Sequence, residues 1–528
     1  MLFNSYEFLF FYFPVTFAAF FVIGRYSRSL AALWLFSASL FFYGWWNPAY
    51  VSLLIGSILF NFAMGSAISR EHHRGRLARA KYMLIAAVSG NLALLAYYKY
   101  ANFFLTNTNE LLGAGWHLED VILPLGISFF TFTQIAFLVD AYRGEVKERN
   151  FIHYGLFVTY FPHLIAGPVL HHKEMMPQFA QAQTYRPHWE NVSVGLTIFI
   201  IGLFKKTVLA DGVAQYSTPV FDAAAVGQTL TLFEAWGGAL AYTFQLYFDF
   251  SGYSDMAIGL SRMFGVKLPL NFHSPYKATN IVEFWRRWHM TLSRFLRDYL
   301  YFALGGNRKG TVRRYINLMV TMLLGGLWHG AGWTFLVWGG LHGLYLCINH
   351  AWIYFVNRFW RGPLLPRRLA KLLAWSMTFA AVVIGWVFFR AASFDAALAM
   401  LHSMAGWNGI ALPNAVAARL GSTWPILVDL GFTSYLGGGS QFIFTWLWIL
   451  LLMVAVLAMP NTQQIMHGME PGISPRHGEA KSEIRAMHRL YPALSWKPSL
   501  RWAVAGGVTA AVGVLAMNRV SEFLYFQF

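Results

Sequence analysis

The sequence consists of long apolar stretches separated by short polar segments, and this alternation restricts the fold more than any other feature. Twelve stretches have about the length that an α-helix needs to cross a bilayer, roughly 20 residues. They are residues 8–23, 30–46, 50–68, 82–98, 121–139, 192–209, 232–250, 315–328, 334–355, 372–389, 442–459 and 502–517. Only 12% of the residues are charged, compared with roughly 25% in soluble domains. The sequence therefore predicts an all-α, polytopic membrane protein and argues against a water-soluble fold.

The distribution of basic residues predicts a topology. The formal net charge is +17, and Lys and Arg lie in short segments between the apolar stretches, whereas other connecting segments have few of them. The basic segments are Arg25 to Arg28, 70–81, 143–149, 308–314, 361–371 and 476–501; the others are 107–120, 211–228 and 391–440. Placing the basic segments in the cytoplasm gives a consistent alternation and puts both termini on the outer face. The expected partners of this charge are anionic lipid headgroups, not nucleic acid.

The amino-terminal stretch is expected to remain in the protein as the first span. Residues 1–23 have no basic amino-terminal region and include Glu7, which is unlike a cleavable signal peptide. Cys347 is the single cysteine, so an intrachain disulfide is excluded, and we interpret it as a packing residue.

Two stretches depart from the pattern of a straight spanning helix. Residues 151–170 are apolar but contain Pro162, Gly167 and Pro168, which predicts a broken or re-entrant segment enclosed by protein. Residues 315–328 would form only about 21 Å of helix, whereas the bilayer core is about 30 Å thick. The sequence therefore predicts that the glycine-rich turn at 325–332, which contains His329, lies part-way through the membrane.

His329 is the strongest candidate for chemistry. Ionisable residues within the membrane are costly unless they are paired or used in function. An imidazole titrates near neutral pH and can accept a proton from a hydroxyl group. The neighbouring glycines would allow close approach of a substrate. The structural alternative is a histidine that is hydrogen-bonded in a contact between helices.

The segment 284–299 is a second candidate. Trp285, His289, Leu292 and Leu296 recur at i, i+4, i+7 and i+11, which predicts one helix with these residues on a single face. The arginines of this segment suit lipid headgroups, the commoner case, or the phosphates of a nucleotide-like cofactor. These arginines are Arg286, Arg287, Arg294 and Arg297. His289 would then point into the protein.

Other polar residues in apolar surroundings support weaker interpretations. Asp249 and Asp255 could bind a cation, orient a histidine or cap helices, and capping is the commonest of these. His171 and His172 lack a third ligand at a metal-like spacing, so no metal site is predicted. The usual nucleotide-binding sequence motifs are absent.

Three motifs resemble the signatures of the membrane-bound O-acyltransferase family: Asn-Phe-His-Ser-Pro-Tyr at 271–276, Phe-Trp-Arg-Arg-Trp-His at 284–289 and Leu-Trp-His-Gly at 327–330. Residues 1–14, 460–464 and 523–528 resemble the branch of that family that acetylates alginate. The resemblance implies a bundle of about 11–12 transmembrane helices with re-entrant segments around a central funnel or tunnel. It also implies a catalytic core at 121–360, between helices at 1–120 and helices at 361–528 that include a cytoplasmic loop at about 460–500.

The resemblance further implies an activity. His329 would be the principal catalytic residue, as general base or as a transiently acylated group, and His289 would be the second functional histidine. The branch takes acetyl groups from a cytoplasmic donor, acetyl-CoA being expected, with no permanently bound cofactor. In the bacterial inner membrane it would pass them to extracytoplasmic partner proteins that acetylate an exopolysaccharide such as alginate or cellulose. Three alternatives stay open: a D-alanyl transferase of a related branch, a polysaccharide or lipid transporter without acyl chemistry, and a scaffold that anchors a soluble acyltransferase.

Overall fold

The computed structural model describes most of the chain. The described residues are 1–116, 121–148, 150–165, 167–359, 362, 365–473, 491–518 and 524. The expectations for the carboxy-terminal run 523–528, apart from Leu524, and for residues 476–490 of the basic segment lie outside the described residues.

Helices account for nearly all of the regular structure. The helices of the first half are α1 Phe13–Gly24, α2 Arg28–Gly44, α3 Ala49–His73, α4 Leu77–Leu95, α5 Ala101–Leu112, α6 Ile127–Tyr142, α7 Phe151–Thr159, α8 Phe161–Leu164, α9 His172–Ala180, α10 Trp189–Phe204, α11 Asp211–Ala225 and α12 Leu232–Met263. Wider π-helical turns precede α1, join α4 to α5 and join α10 to α11. They span Phe8–Tyr12, Ala96–Tyr100 and Lys205–Ala210.

The second half continues the bundle and adds a small subdomain that contains two strands. Its helices are α13 Ile281–Trp285, α14 Met290–Phe295, α15 Thr311–His329, α16 Trp333–Phe359, α17 Arg367–Arg390, α18 Phe394–Met404, α19 Asn414–Arg419, α20 Thr423–Asp429, α21 Gly439–Ala458, α22 Thr462–Ile465 and α23 Leu500–Leu515. A further π-helical segment, Leu296–Tyr301, follows α14. The strands β1 Ile410–Pro413 and β2 Phe432–Tyr435 pair in parallel, with Ile410 opposite Phe432.

The structure confirms the predicted all-α polytopic architecture. Each of the twelve apolar stretches overlaps a helix. Within the described part of the chain, six helical segments are both long and apolar enough to cross a membrane. They are Ala49–His73, Leu77–Leu112, Trp189–Ala225, Arg367–Arg390, Gly439–Ala458 and Leu500–Asn518. The interruption predicted within 151–170 is also present, since α7 ends at Thr159 and α8 begins two residues later.

Close glycine contacts hold the centre of the bundle together. α12 has 32 residues, and it packs against α10 through two pairs of glycines. A Cβ atom added at Gly195 would lie 2.5 Å from the backbone oxygen of Gly259, and one at Gly202 would lie 2.6 Å from that of Gly252. Small residues at these crossings let the two backbones touch, as is common between helices in membranes.

Two local predictions are wrong. Residues 284–299 do not form one helix, because the chain breaks between α13 and α14 at His289, whose φ is +41°. The helix that ends at His329 is also longer than its apolar stretch. It has 19 residues, about 28 Å, because Arg313 and Arg314 belong to its first turn. The length of α15 is therefore no longer an argument that His329 lies at mid-depth.

Candidate active site

His329 lies at the carboxy-terminal end of α15 among aromatic rings from three helices. Its ring centroid is 4.8 Å from that of Trp328, 5.1 Å from that of Trp338 on α16 and 5.2 Å from that of Phe389 on α17. The side chain is 8% exposed. The surroundings are therefore apolar, and bulk water has little access to the imidazole.

His289 is held in one tautomer by Asn271. Its Nδ1 lies 3.0 Å from Asn271 Oδ1, and both residues are buried. The same oxygen accepts hydrogen bonds from the backbone N–H and the hydroxyl of Thr291, at 3.4 and 3.0 Å. Because a backbone N–H only donates, this contact identifies the Asn271 atom as the oxygen, and Nδ1 of His289 must then carry the hydrogen.

The opposite nitrogen of His289 is therefore the basic one. With the hydrogen on Nδ1, a neutral imidazole has its lone pair on Nε2. This Nε2 is buried and has no hydrogen-bond partner within the described residues. The left-handed backbone of His289 is uncommon for a non-glycine residue, and such conformations cluster at functional sites. The arrangement gives His289 the capacity to accept a proton.

The structure brings the two predicted histidines to the same aromatic side chain. The indole ring of Trp328 is in contact with the imidazole of His329, and its centroid lies 6.4 Å from that of His289. His329 comes from α15, whereas His289 comes from the break between α13 and α14. Two imidazoles near one apolar wall can hold and move a proton in a site that excludes water.

Most of the four candidate arginines already have carboxylate partners. Their ion pairs are Arg287 with Glu283 at 2.9 Å, Arg294 with Glu174 at 2.6 Å and Arg297 with Asp298 at 2.7 Å. Arg286 is exposed, and no ion pair involving it occurs among the described residues. Of the four, Arg286 therefore has the guanidinium group that is most available to an incoming phosphate.

A polar cavity of about 270 Å³ lies beside Arg294. Arg143, His171, Lys173 and Tyr299 are among the residues that line it. The ammonium group of Lys173 donates a hydrogen bond to Glu145. This bond raises the pKa of Lys173, so the lysine is positively charged at neutral pH. The cavity thus presents both cationic and acidic groups at the ends of α6 and α9.

An aromatic wall connects this cavity to Trp328. Successive ring centroids are 5.0 Å apart for Tyr299 and Phe295, 4.9 Å for Phe295 and Phe132, and 5.6 Å for Phe132 and Trp328. Tyr299 lines the cavity, whereas Trp328 contacts His329. The polar cavity and the two histidines are therefore at opposite ends of one packed cluster.

The two aspartates are not helix caps, because both lie in the interior of α12. Asp249 pairs with Lys206 at 2.7 Å, and Asp255 pairs with Lys205 at 2.6 Å. Both lysines belong to the π-helical turn Lys205–Ala210. These ion pairs attach α12 to the irregular turn between α10 and α11.

The adjacent histidines point to different partners. His171 Nδ1 lies 3.0 Å from the hydroxyl of Tyr299, and that hydroxyl donates to Asp140. His172 Nδ1 lies 3.2 Å from the same carboxylate. This network stabilises the wall of the polar cavity.

Sequence reasoning missed several residues of the site. Asn271 opens one of the motifs that carry the family resemblance, but its contact with His289 depends on the break in the helix. His342 on α16 is fully buried against Trp338 and Trp285, with centroid distances of 4.9 and 5.2 Å. Its only signal in the sequence is its place among glycines at 339–343. Lys99 and Tyr100 contact the end of α15 from a segment more than 220 residues away.

Comparison with known proteins identifies similar sequences over the whole chain. Residues 92–390 match the membrane-bound O-acyltransferase family. The chain is 44% identical over 439 residues to a peptidoglycan O-acetyltransferase of Helicobacter pylori, which covers 78% of this chain and 81% of that protein. It is 43% identical over 553 residues to a probable alginate O-acetylase of Pseudomonas aeruginosa, covering 100% of both. A teichoic acid D-alanyltransferase of Streptococcus thermophilus is 28% identical over 284 residues, which covers 50% of this chain and 68% of that protein.

Proposed function

This chain belongs to the membrane-bound O-acyltransferase family, and on that premise we propose that it moves acetyl groups from acetyl-CoA toward the hydroxyl groups of an extracytoplasmic polysaccharide. The chain is a multi-pass membrane protein and an acyltransferase. The observation that carries the proposal is the pair of buried imidazoles of His289 and His329 against Trp328, with the lone pair of His289 left on Nε2.

Acetyl is favoured over D-alanyl as the transferred group by the comparisons. The two O-acetylating relatives are 44% and 43% identical over most or all of the chain. The D-alanyl-transferring relative is 28% identical over half of it. The relatives differ in polymer, one being named for peptidoglycan and the other for alginate, so we propose a cell-surface polysaccharide as the class of acceptor, with alginate or cellulose as candidates.

In the proposed reaction, His329 is the principal base and His289 assists it. As the acceptor oxygen attacks the thioester carbonyl carbon, an imidazole takes the hydroxyl proton. The C–S bond then breaks, and the imidazolium returns that proton to the leaving thiolate. The same residues permit a second order of events, in which His329 itself carries the acetyl group between donor and acceptor.

The donor is proposed to enter from the cytoplasmic side. The basic segment 308–314 leads into the first turn of α15, and the positive-inside rule places such segments in the cytoplasm. Guanidinium groups bind phosphates well, and Arg286 is exposed and without an ion pair among the described residues. The cavity beside Arg294 is lined by Arg143 of the basic segment 143–149, which the same rule places in the cytoplasm, and this supports entry of the donor from that side.

The acceptor is proposed to be outside the cytoplasm and to be reached through partner proteins. In this proposal the protein lies in a bacterial inner membrane, and both termini face the periplasm. A hydrogen bond of 2.8 Å from Tyr6 to Asn518 supports a location of both chain ends on one side of the bundle. The parallel strands and helices within 391–440 lie in a segment poor in Lys and Arg, and on this topology they face the partner.

The proposal is tested by release of CoA thiol from acetyl-CoA with the purified protein in proteoliposomes. Wild type should release thiol when a soluble acceptor with hydroxyl groups is present, and His329→Ala should not. His188→Ala is the matched control, because His188 is exposed and lies outside the site. Thiol release by His329→Ala at the wild-type rate would refute the role of His329. Release with D-alanyl-carrier protein in place of acetyl-CoA would instead favour the D-alanyl alternative, and no release with either would favour transport or scaffolding.

A further inference from the structure

We propose that Lys99 is a positioning residue for His329, and that it acts by terminating the helix that carries this histidine. The inference rests on the proposed function, because His329 has to be the base for its position to matter. Lys99 and Tyr100 of the π-helical turn Ala96–Tyr100, together with Phe103 and Asn107 of α5, are named here the helix-end bracket. The bracket contacts the end of α15 and the turn that follows it.

All four terminal carbonyl groups of α15 are hydrogen-bonded, and three of them are bonded by the bracket. The oxygen of Gly326 accepts from the N–H of Gly330 at 3.4 Å. The hydroxyl of Tyr100 donates to Leu327 O at 2.8 Å. The ammonium of Lys99 donates to Trp328 O at 2.6 Å and to His329 O at 3.1 Å. The last four carbonyl groups of a helix have no partner within that helix, so an apolar interior demands such contacts.

The ammonium of Lys99 is also fully satisfied by neutral acceptors. Its third contact is the hydroxyl of Ser128 at 3.4 Å, so three acceptors match its three N–H bonds. Among the described residues, no carboxylate forms an ion pair with Lys99. Its amino group instead lies at the negative end of the α15 dipole, where positively charged side chains are favoured.

Two residues of the bracket lie on one face of α5 and contact the start of α16. Phe103 and Asn107 are four residues apart on α5, so their side chains project in the same direction. The ring of Phe103 is 5.8 Å from that of Trp333, and Asn107 Oδ1 accepts from the indole N–H of Trp333 at 2.8 Å. Trp333 is the first residue of α16. The bracket therefore contacts the chain both before and after the turn at Gly330.

This arrangement fixes where α15 ends and hence where the imidazole of His329 points. If the carbonyl groups of Trp328 and His329 lost their donors, the last turn would have to unwind or extend to find others. A displacement of about 1 Å at a reacting group can cost about 100-fold in rate. No other contact in the described structure donates to the carbonyl oxygens of Trp328 and His329.

The test compares Lys99→Met, Lys99→Arg and Tyr100→Phe with wild type in the proteoliposome assay. Lys81→Met is the matched control, because Lys81 is an exposed lysine of α4, the helix that precedes the turn containing Lys99. We expect Lys99→Met to lower kcat by about 10- to 100-fold with KM for acetyl-CoA within about twofold of wild type. Lys99→Arg, which retains a cation with several donors, should recover part of the loss, and Tyr100→Phe should show a smaller decrease.

A second readout does not depend on catalysis. Hydrogen exchange measured by mass spectrometry should accelerate in the peptide covering residues 326–333 of Lys99→Met and remain unchanged in Lys81→Met. Unchanged exchange and wild-type kcat in Lys99→Met would overturn the proposal. If Lys99→Met does not accumulate in the membrane, Tyr100→Phe replaces it as the test variant. A wild-type kcat together with wild-type hydrogen exchange in Tyr100→Phe would then overturn the proposal. If wild-type protein is inactive while exchange changes as expected, the proposed function fails but the structural role of the bracket stands.

Discussion

At the scale of single residues, the site depends on one amide group. Asn271 Oδ1 accepts from His289 and twice from Thr291, so its orientation is fixed by three donors. This contact sets the hydrogen of His289 on Nδ1 and leaves Nε2 as the acceptor. A buried imidazole without such a partner would exchange between tautomers, and only one of them offers Nε2 as a base.

Replacing Asn271 should therefore reduce activity without removing either histidine. Asn271→Leu leaves the N–H of His289 unsatisfied, which costs about 1–3 kcal/mol. A loss of this size in the transition state lowers kcat by about 5- to 150-fold. Asn271→Asp keeps an acceptor oxygen and should retain more activity. The measurement is kcat in proteoliposomes, with the exposed Asn414→Leu as control. Equal activity of Asn271→Leu and wild type would contradict the tautomer assignment.

The arginines of the segment 286–297 should divide into two groups. Arg286→Ala should raise KM for acetyl-CoA about two- to fivefold, the effect of losing an exposed ion pair, with kcat unchanged. Arg294→Ala should lower the thermal midpoint, because it leaves Glu174 without its partner; the cost is about 1–2 kcal/mol.

The double variant Arg294→Gln with Glu174→Gln tests whether the loss of stability comes from the unpaired carboxylate of Glu174, because it removes both charges of the ion pair. The thermal midpoint of the double variant should return toward that of wild type. A KM that rises equally in Arg286→Ala and Arg294→Ala would argue against this division and would indicate that both guanidinium groups contact the donor.

The sequence indicates candidate residues for the site but not their contacts. His289 and His329 could be found from their motifs, and the structure places both against Trp328. The break at His289 could not be found, because apolar residues at i, i+4, i+7 and i+11 suggest a continuous helix whatever the backbone does at one residue. The contacts of Asn271 and Lys99 could not be predicted either, because each joins two segments that no local sequence pattern relates.

At the scale of elements, the packing of α15 against α16 holds His329 in place. A Cβ atom added at Gly339 would overlap the backbone oxygen of Met322, and one at Gly326 would overlap that of Phe335. These contacts let the two helices approach closely enough for Trp338 to meet His329. The predicted spans overlap both helices, because long apolar stretches determine helices in membranes, but α15 begins four residues before its predicted span.

Two neighbouring glycines of α16 should respond differently to the same change. Gly339→Ala must move the backbone of α15 and should destabilise the protein by about 1–3 kcal/mol. Gly340→Ala is the matched control, because its new methyl group would lie 3.5 Å from a side-chain carbon of Leu323, an ordinary contact. Thermal unfolding in detergent measures both. Equal midpoints for the two variants would show that the hairpin is not limited by backbone contact.

At the scale of the whole molecule, the chain returns to its starting point. Tyr6 donates to Asn518, and the ring of Phe3 stacks on that of Tyr253 in the middle of α12 at 4.6 Å. The amino-terminal segment is therefore part of the central packing. The alternation of basic segments predicts only that both termini lie on the same side of the membrane. The packing of Phe3 could not be anticipated, because a terminal aromatic residue has no periodic pattern to assign it.

Topology reporters should place both ends outside the cytoplasm. Alkaline phosphatase fused to either terminus should be active, and green fluorescent protein fused to either terminus should be dark, because the first folds in the periplasm and the second in the cytoplasm. A reporter inserted in the basic segment at 361–371 should give the opposite result. A fluorescent fusion at either end would contradict the proposed orientation of the donor and acceptor sides.

The central claim is that His329 is required for the transfer of acetyl groups to a cell-surface polysaccharide. The most direct measurement is the acetyl content of that polysaccharide in a deletion strain that expresses wild type, His329→Ala or His188→Ala at equal protein levels. We predict that wild type and His188→Ala restore acetylation and that His329→Ala does not. Full restoration by His329→Ala would contradict the claim and would favour a transporting or scaffolding role.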